Sequence, residues 1–232
     1  MPKPFLSVII PVLNEAAGIR SQLEALQVLR GKGATLIVVD GGSEDSTAEQ
    51  AGPLVDLVTH SPRGRAMQMN AGVRASSSEV LLFLHADTAL PTSAFERIHE
   101  VITSGALWGR FDVRIDGAHP LLRIVERLMN WRSRLSGIAT GDQAIFVRRD
   151  VFERIGGFPE LPLMEDIVLS KKLKRIAPPA CLRECVVTSG RRWESHGVMR
   201  TILLMWRLRT GFFFGADPDE LAVRYGYHPR QR

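Results

Sequence analysis

The feature that most constrains this chain is a run of short apolar segments in its first hundred residues, each followed by a helical pattern. The segments are 7–12, 35–39, 55–58 and 80–84. Apolar runs of this length, bounded by polar residues, read as strands buried on both faces. Between them the spacing turns helical. Ile19, Leu23, Leu26 and Leu29 share one face, 43–47 opens a second helix, 64–75 forms a third, and Pro91 sits in the first turn of a fourth. Strand–helix alternation with short connections predicts a right-handedly wound sheet. The expected class is α/β: a mostly parallel central sheet, helices on both faces, and a Rossmann-like nucleotide-binding first half.

The second half is less regular. Residues 108–115 alternate like an exposed-edge strand, and 121–135 read as an Arg-rich amphipathic helix. A short strand over 144–147 precedes a helix from 151 to 155 that stops at Gly156-Gly157. A helix over 165–176 is broken by Pro178-Pro179. A strand over 181–188 and a helix over 198–214 follow. No repeat or linker divides the chain, so one domain over 1–232 is expected, with halves at 1–105 and 106–232.

Hydrophobic residues make up 45% of the chain and charged ones 24%, enough to bury a core without staples. The two cysteines, Cys181 and Cys185, are too far apart on one strand to bridge. On a helix they could be neighbours, but nothing completes a zinc site. They are expected to be reduced thiols in a cytoplasmic protein. No secretory signal and no run of membrane-spanning length is visible. The apolar stretch 202–206 is cut by Arg207 and Arg209. With Phe212, Phe213 and Phe214 it reads either as a core helix or as an interfacial one touching a membrane peripherally. A net charge of +5, weighted to the second half, suits an anionic ligand or membrane surface. No nucleic-acid module is present, so nucleic acid is not an expected partner.

The chemistry sits where strands end. Asp40 closes one apolar strand and Asp87 follows another, at the edge where open α/β sheets bind ligands. Such acids serve a nucleotide, a divalent metal or both, because hard cations take carboxylates together with substrate phosphates. Gly41 and Gly42, before Ser43, let a backbone approach a ligand closely. Arg63 and Arg65 at a helix start make an anion site. Glu165 and Asp166 open another helix, a place for a capping acid or a general base. Gly141 and Asp142 precede a strand, and Arg191, Arg192 and Trp193 follow one. The arginines can clamp a diphosphate, and the Trp can stack on a sugar. His85, two residues before Asp87, reads as a packed side chain or a ligand.

In this order the motifs resemble those of inverting family-2 glycosyltransferases with the GT-A fold, in a small bacterial subgroup. The matching pieces are 7–15 with Pro11, Asn14 and Glu15; 38–47; Arg63-Gly64 with Asn70 and Gly72; and His85-Ala86-Asp87. Gly141-Asp142-Gln143, Arg148-Arg149, 156–158, Glu165-Asp166 and Arg191-Arg192-Trp193 complete the set, covering roughly 5–195. The resemblance implies a nucleotide-sugar donor, usually a UDP-sugar, bound by the first half through Pro11, Asn14, Glu15, Asp40, Gly41, Ser43, Arg63, Arg65 and Asp87. Asp40 would contact the base, and Asp87 would hold Mn2+ or Mg2+. Asp166 would deprotonate an acceptor, small or lipid-linked, bound by the second half. Gly141, Asp142, Glu165, Arg191, Arg192 and Trp193 would serve the acceptor and diphosphate. Two departures stand out: His85 replaces the first acid of D-x-D, and the leading Gln of Q-x-x-R-W is absent. A nucleotidyltransferase is the rival enzyme, but Asn14 to Gly18 lacks the Gly-rich basic loop expected there. A basic membrane-surface module is the non-enzymatic rival.

Overall fold

The structure is a computed structural model that describes residues 3–227, Arg192 by its backbone alone. Strand β1 (Leu6–Val12) lies between β2 (Thr35–Asp40) and β4 (Val80–Phe83), parallel to both, and β3 (Leu57–His60) pairs outside β2. The sheet continues through β7 (Phe146–Arg148), β6 (Trp108–Ile115), β8 (Ala180–Thr188) and β5 (Thr88–Ala89), in the order β3-β2-β1-β4-β7-β6-β8-β5. Only β7 and β5 run against the others. The sheet is therefore mixed but mostly parallel.

The apolar runs alternate between two cores because successive side chains point to opposite faces. Val8, Ile10, Leu36, Val38 and Leu82 face one layer, which receives Leu23 and Leu26 of α1 (Ile19–Gly31) and Ile98 of α4 (Ala94–Thr103). Ile9, Ile37, Val39, Leu81 and Phe83 face the other. That layer receives Met69 and Val73 of α3 (Arg65–Ala75), Phe152 of α6 (Arg149–Arg154), and Leu169 and Leu173 of α7 (Glu165–Lys174). Helix α5 (Pro120–Ser136) packs on β6. It is stopped by Gly137 in the left-handed conformation at φ 67. The chain then forms α8 (Arg191–His196), α9 (Val198–Phe213) and α10 (Pro218–Tyr225).

Several sequence expectations are corrected. β6 is an interior strand, not an exposed edge, with Trp108, Arg110 and Phe111 fully buried. Its polar alternation misleads because Arg110 is neutralised by Asp112 on the same strand rather than by water. The third strand starts two residues late, because the Asp56 carboxylate accepts the Leu36 amide at 2.8 Å and pairs with Arg30. The second helix, α2, covers only Thr47–Ala51, since 43–46 are tied to the loop after β1.

Gly109 shows how tightly β6 is held. A Cβ there would fall on the Ala180 carbonyl oxygen and the Phe146 ring. Backbone on one side and a core ring on the other leave little room to relax. Gly109→Ala is expected to cost about 1–3 kcal/mol, the usual range for overpacking. Urea unfolding should show a lower midpoint with an unchanged slope; a midpoint at or above wild type would mean that the two strands can separate there.

Candidate active site

A cleft of about 450 Å3 opens at the carboxyl ends of β1 and β4. Pro11, Glu15, Arg63, Arg65, Asp87, Asp142, Arg191 and Trp193, all expected from the sequence, line it together with His85. Its outer wall comes from α9 and α10, through Thr201, Met205 and Tyr225, and from Tyr227 just beyond. These wall residues were not anticipated. The Asp217-Pro218 pair, an N-cap followed by proline, was the available signal: Asp217 accepts the Asp219 amide at 2.9 Å. Arg63 lies over the Tyr227 ring, 5.4 Å from its centroid.

Asn14, Asp40, Gly41 and Ser43 form the support behind this cleft and do not line it. Asp40 is buried, and its carboxylate accepts the amides of Gly42 at 3.1 Å and Ser43 at 3.0 Å, and the Ser43 hydroxyl. Asn14 accepts the Glu44 amide at 2.8 Å and donates its own amide to Ser43 at 3.0 Å. The Glu15 amide donates to Thr47 at 2.8 Å. These bonds join the loops after β1 and β2. The close approach that Gly41 permits is to Gln68, whose amide nitrogen donates to the Val12 and Val39 carbonyls, each at 2.8 Å.

Asp87 is exposed and faces the cleft, its carboxylate in only a long 3.5 Å contact with the Thr88 hydroxyl. Its carbonyl accepts the Ser189 amide at 3.1 Å, which brings β8 and the start of α8 beside it. Arg191 donates to Ser189 at 3.2 Å and reaches Glu15 at 3.6 Å. Burial raises the Glu15 carboxyl above its ordinary range; Arg191 opposes the shift and Asp87 reinforces it. The side chain of Arg192 lies outside the described residues.

On the far side Asp142, Pro162 and Leu163 line the cleft, with Gly141 and the start of α7, including Glu165 and Asp166, set behind them and not lining it. His85 Nδ1 lies 3.3 Å from Asp142, and its ring packs so closely on Gly141 that no Cβ would fit there. Burial would raise the Asp142 carboxyl, but the His85 hydrogen bond and charge, with Arg65 and Arg209, hold it below the usual range. Asp166 accepts the Gly141 amide at 2.8 Å, so the two segments are linked directly. Glu165, buried beside it, lies 3.5 Å from Arg65. The three non-glycine residues with positive φ among those described are Asn14, Ala144 and Met164. Each stands in a loop that builds this site, where strained backbone commonly collects.

As a metal site, the cleft offers, among the described residues, the Asp87 carboxylate, which meets only the Thr88 hydroxyl. Among the described residues no three His, Cys, Asp or Glu side chains gather for a cation. His85 turns one ring nitrogen to Asp142 and buries the other without a partner. This suits a hard cation that takes one carboxylate and completes its shell with phosphate oxygens and water.

Glu165 supplies a pH test. Its burial raises the carboxyl above the ordinary range; the Arg65 guanidinium opposes this, and the adjoining Asp166 adds to it. The folded chain therefore keeps this proton to higher pH than the unfolded chain. The stabilising contribution is complete below the ordinary Glu value of about 4.3 and is lost as pH rises through the raised folded value. Urea titrations from about pH 4 to about pH 7 should show wild type losing stability relative to Glu165→Gln. A wild type that keeps level with Glu165→Gln as pH rises would show that Arg65 offsets burial, and one that gains on it would show that Arg65 outweighs burial.

Three kinds of similarity bear on this site. The model of the family described as "Glycosyl transferase family 2" matches residues 7–156. The chain is 30% identical over 172 residues to glycosyltransferase AglE of Haloferax volcanii, covering 67% of this chain and 56% of that protein. It is 31% identical over 175 residues to a PGL/p-HBAD biosynthesis glycosyltransferase of Mycobacterium tuberculosis, covering 68% of this chain and 64% of the relative. The chain thus spans less than two thirds of either relative's length. Among solved structures, Staphylococcus aureus TarS 1-349 in complex with UDP aligns with a TM-score of 0.64 at 17% identity, over 80% of this chain and 60% of that one. A mannosyltransferase of Pyrobaculum calidifontis, in complex with GDP-Man and Mn2+, aligns with a TM-score of 0.63 at 20% identity, over 98% of this chain and 70% of that one. These structural likenesses establish the GT-A-type fold.

Proposed function

The chain belongs to glycosyl transferase family 2, and on that premise we propose that it transfers a sugar from a nucleoside-diphosphate sugar to a hydroxyl acceptor with inversion. The observation that carries this reading is one cleft lined by Asp87, Arg63, Arg65 and Arg191, with the Glu165–Asp166 helix start tied to its wall through Arg65 and Gly141. Three guanidinium groups suit a diphosphate, which Arg can meet with paired hydrogen bonds. A UDP-sugar is the first donor to test and GDP-mannose the second, the neighbouring structures being bound to UDP and to GDP-Man. Asp87 would hold Mn2+ or Mg2+, which supplies positive charge at the diphosphate.

In the proposed step, the acceptor oxygen forms a bond to the anomeric carbon from the face opposite the diphosphate. The bond from that carbon to the diphosphate oxygen breaks, and the nucleoside diphosphate leaves with the electron pair. The acceptor proton passes to Asp166. Hydrogen bonds from the Gly141 and Ile167 amides, at 2.8 and 2.7 Å, orient that carboxylate and leave lone pairs for a hydroxyl. Arg191, Arg63 and Arg65 meet the charge that grows on the leaving group. Trp193 offers an apolar face to a sugar ring. Asp40 acts indirectly, by holding the Gly41–Ser43 loop that supports the cleft from behind. A second carboxylate has its own claim to the base role: Asp142 lines the cleft and pairs with His85.

Two outcomes test the reading. Asp166→Asn should keep nucleotide binding and lower kcat by about 10²–10⁴, the range for removing a general base. Near-wild-type turnover in Asp166→Asn, with loss in Asp142→Asn, would move the role to Asp142. In thermal-shift titrations with UDP or GDP, Mn2+ should strengthen the stabilisation of wild type. A ligand at a hundred times its Kd adds about 2.7 kcal/mol. Asp87→Ala should abolish the metal-dependent part, whereas His85→Ala should only weaken it. Equal loss in both would make His85 a direct ligand.

A further inference from the structure

Most of the large apolar side chains exposed among the described residues lie on α5 and at α9 with its C-cap. On α5 they are Ile124, Leu128, Trp131 and Leu135, the spacing of one helix stripe, with Trp131 62% exposed. On α9 and its cap they are Met199, Leu203, Trp206, Phe213 and Phe214, with Trp206 69% and Phe214 80% exposed. The two helices meet at their first turns, over Ile115 of β6. Leu122 of α5 and Val198 of α9 are buried in one cluster, with Val125, Met129 and Ile202 packed against it. Ten residues further along α5, burial and then the nearby Arg209 charge lower the Arg132 guanidinium below its ordinary range, which places Arg209 in its neighbourhood. With the early turns in contact and Arg209 in the neighbourhood of Arg132, the helices run in the same direction. On each, helical geometry sets the exposed stripe just outward of the residues that face the seam. The stripes therefore join into one outer apolar face.

The charges on the two helices themselves are almost all of one sign, while the acids of the α10 start, Asp217, Asp219 and Glu220, lie just beyond the Phe214 end of the face. Helix α9 carries Arg200, Arg207 and Arg209 and no acid. Helix α5 carries four arginines and one acid, Glu126, which turns inward to accept the Ile115 amide at 3.1 Å. Exposed Arg127 borders one stripe, and exposed Arg200 and Arg207 border the other. We propose that this face docks the protein on an anionic lipid bilayer, with the apolar stripes in the headgroup–acyl boundary and the arginines snorkelling to lipid phosphates. A second copy of the chain fits less well, because a two-fold contact would set one arginine rim against another. Among the described residues no helix is long and apolar enough to cross a membrane. The inward side of α9 lines the cleft through Thr201 and Met205, so docking sets the cleft beside the headgroup layer. The inference stands independently of the sugar-transfer reading.

The test is flotation of the full chain with vesicles of phosphatidylcholine, with and without phosphatidylglycerol. Wild type should float with the anionic vesicles and remain behind with the neutral ones. Two paired variants, Leu128→Ser with Trp131→Ser and Leu203→Ser with Trp206→Ser, should each lower the partition about tenfold or more, as loss of two large apolar side chains implies. Arg127→Glu with Arg207→Glu, which leaves the apolar stripes intact, should remove the preference for anionic lipid. Circular dichroism and nucleotide thermal shifts check that each variant is folded, and failure of nucleotide binding alone would count against the sugar-transfer reading only. Equal binding to both vesicle types, or binding to neither, overturns the proposal. So does a concentration-dependent dimer that the serine variants dissolve, which would give the face to a second copy.

Discussion

The parallel pairing of β1 with β2 on one side and β4 on the other is the constraint on which the site depends. Register Ile10 to Val38 and Ile9 to Phe83 brings the carboxyl ends of three strands to one edge. Parallel strands need crossover helices, which cover both faces and make the strands apolar throughout. Polar side chains of the first half therefore collect in the loops at the strand ends. Pro11, Asp40 and Asp87 reach one edge of the sheet because the hydrogen-bond ladder leaves them no other place, with Pro11 and Asp87 lining the cleft and Asp40 behind it.

The loops at that edge hold one another. The loops after β1 and β2 share hydrogen bonds among Asn14, Ser43 and Thr47, and Gln68 spans both strands from below. Asp87 and Ser189 are joined by the β5–β8 pairing, which is reinforced by a bond between the Thr88 and Thr188 hydroxyls. A preorganised polar cleft is worth more than flexible polar groups, since no reorganisation remains to be done when charge develops. The left-handed Met164, immediately before Glu165, is a cost consistent with this use, and its side chain is buried among α9 and α10 residues that can hold it there.

Buried charge does similar positioning work in the second half. Arg110 is fully buried against Asp112, which also accepts Arg134 of α5, and Arg110 donates to the Asn130 carbonyl at 3.3 Å. Such a cluster fixes where α5 sits on β6 more than it adds net stability, because desolvation offsets most of the attraction. An exposed pair such as Arg20–Glu24 contributes at most about 1 kcal/mol. The placement of α5 in turn sets the seam with α9 and the outer apolar face.

The first half was legible in the sequence because local pattern and global fold agree there. Buried parallel strands such as 35–39 and 80–84 advertise themselves as apolar runs, and the acids that follow have to lie at the sheet edge. The identities of Asp87, Arg63, Arg65 and Arg191 as cleft residues followed from that order along the chain. Tertiary structure alone decided that Asp40 spends its carboxylate on its own loop, that Gly41 makes room for Gln68, and that β6 lies inside the sheet. It also decided that α10 closes the cleft with Tyr225. These outcomes rest on partners distant in sequence: a charge neutralised by a neighbour looks the same in one dimension as a charge left to water. The stripes on α5 and α9 were visible as apolar spacing, but spacing cannot say which side of a helix the rest of the molecule covers.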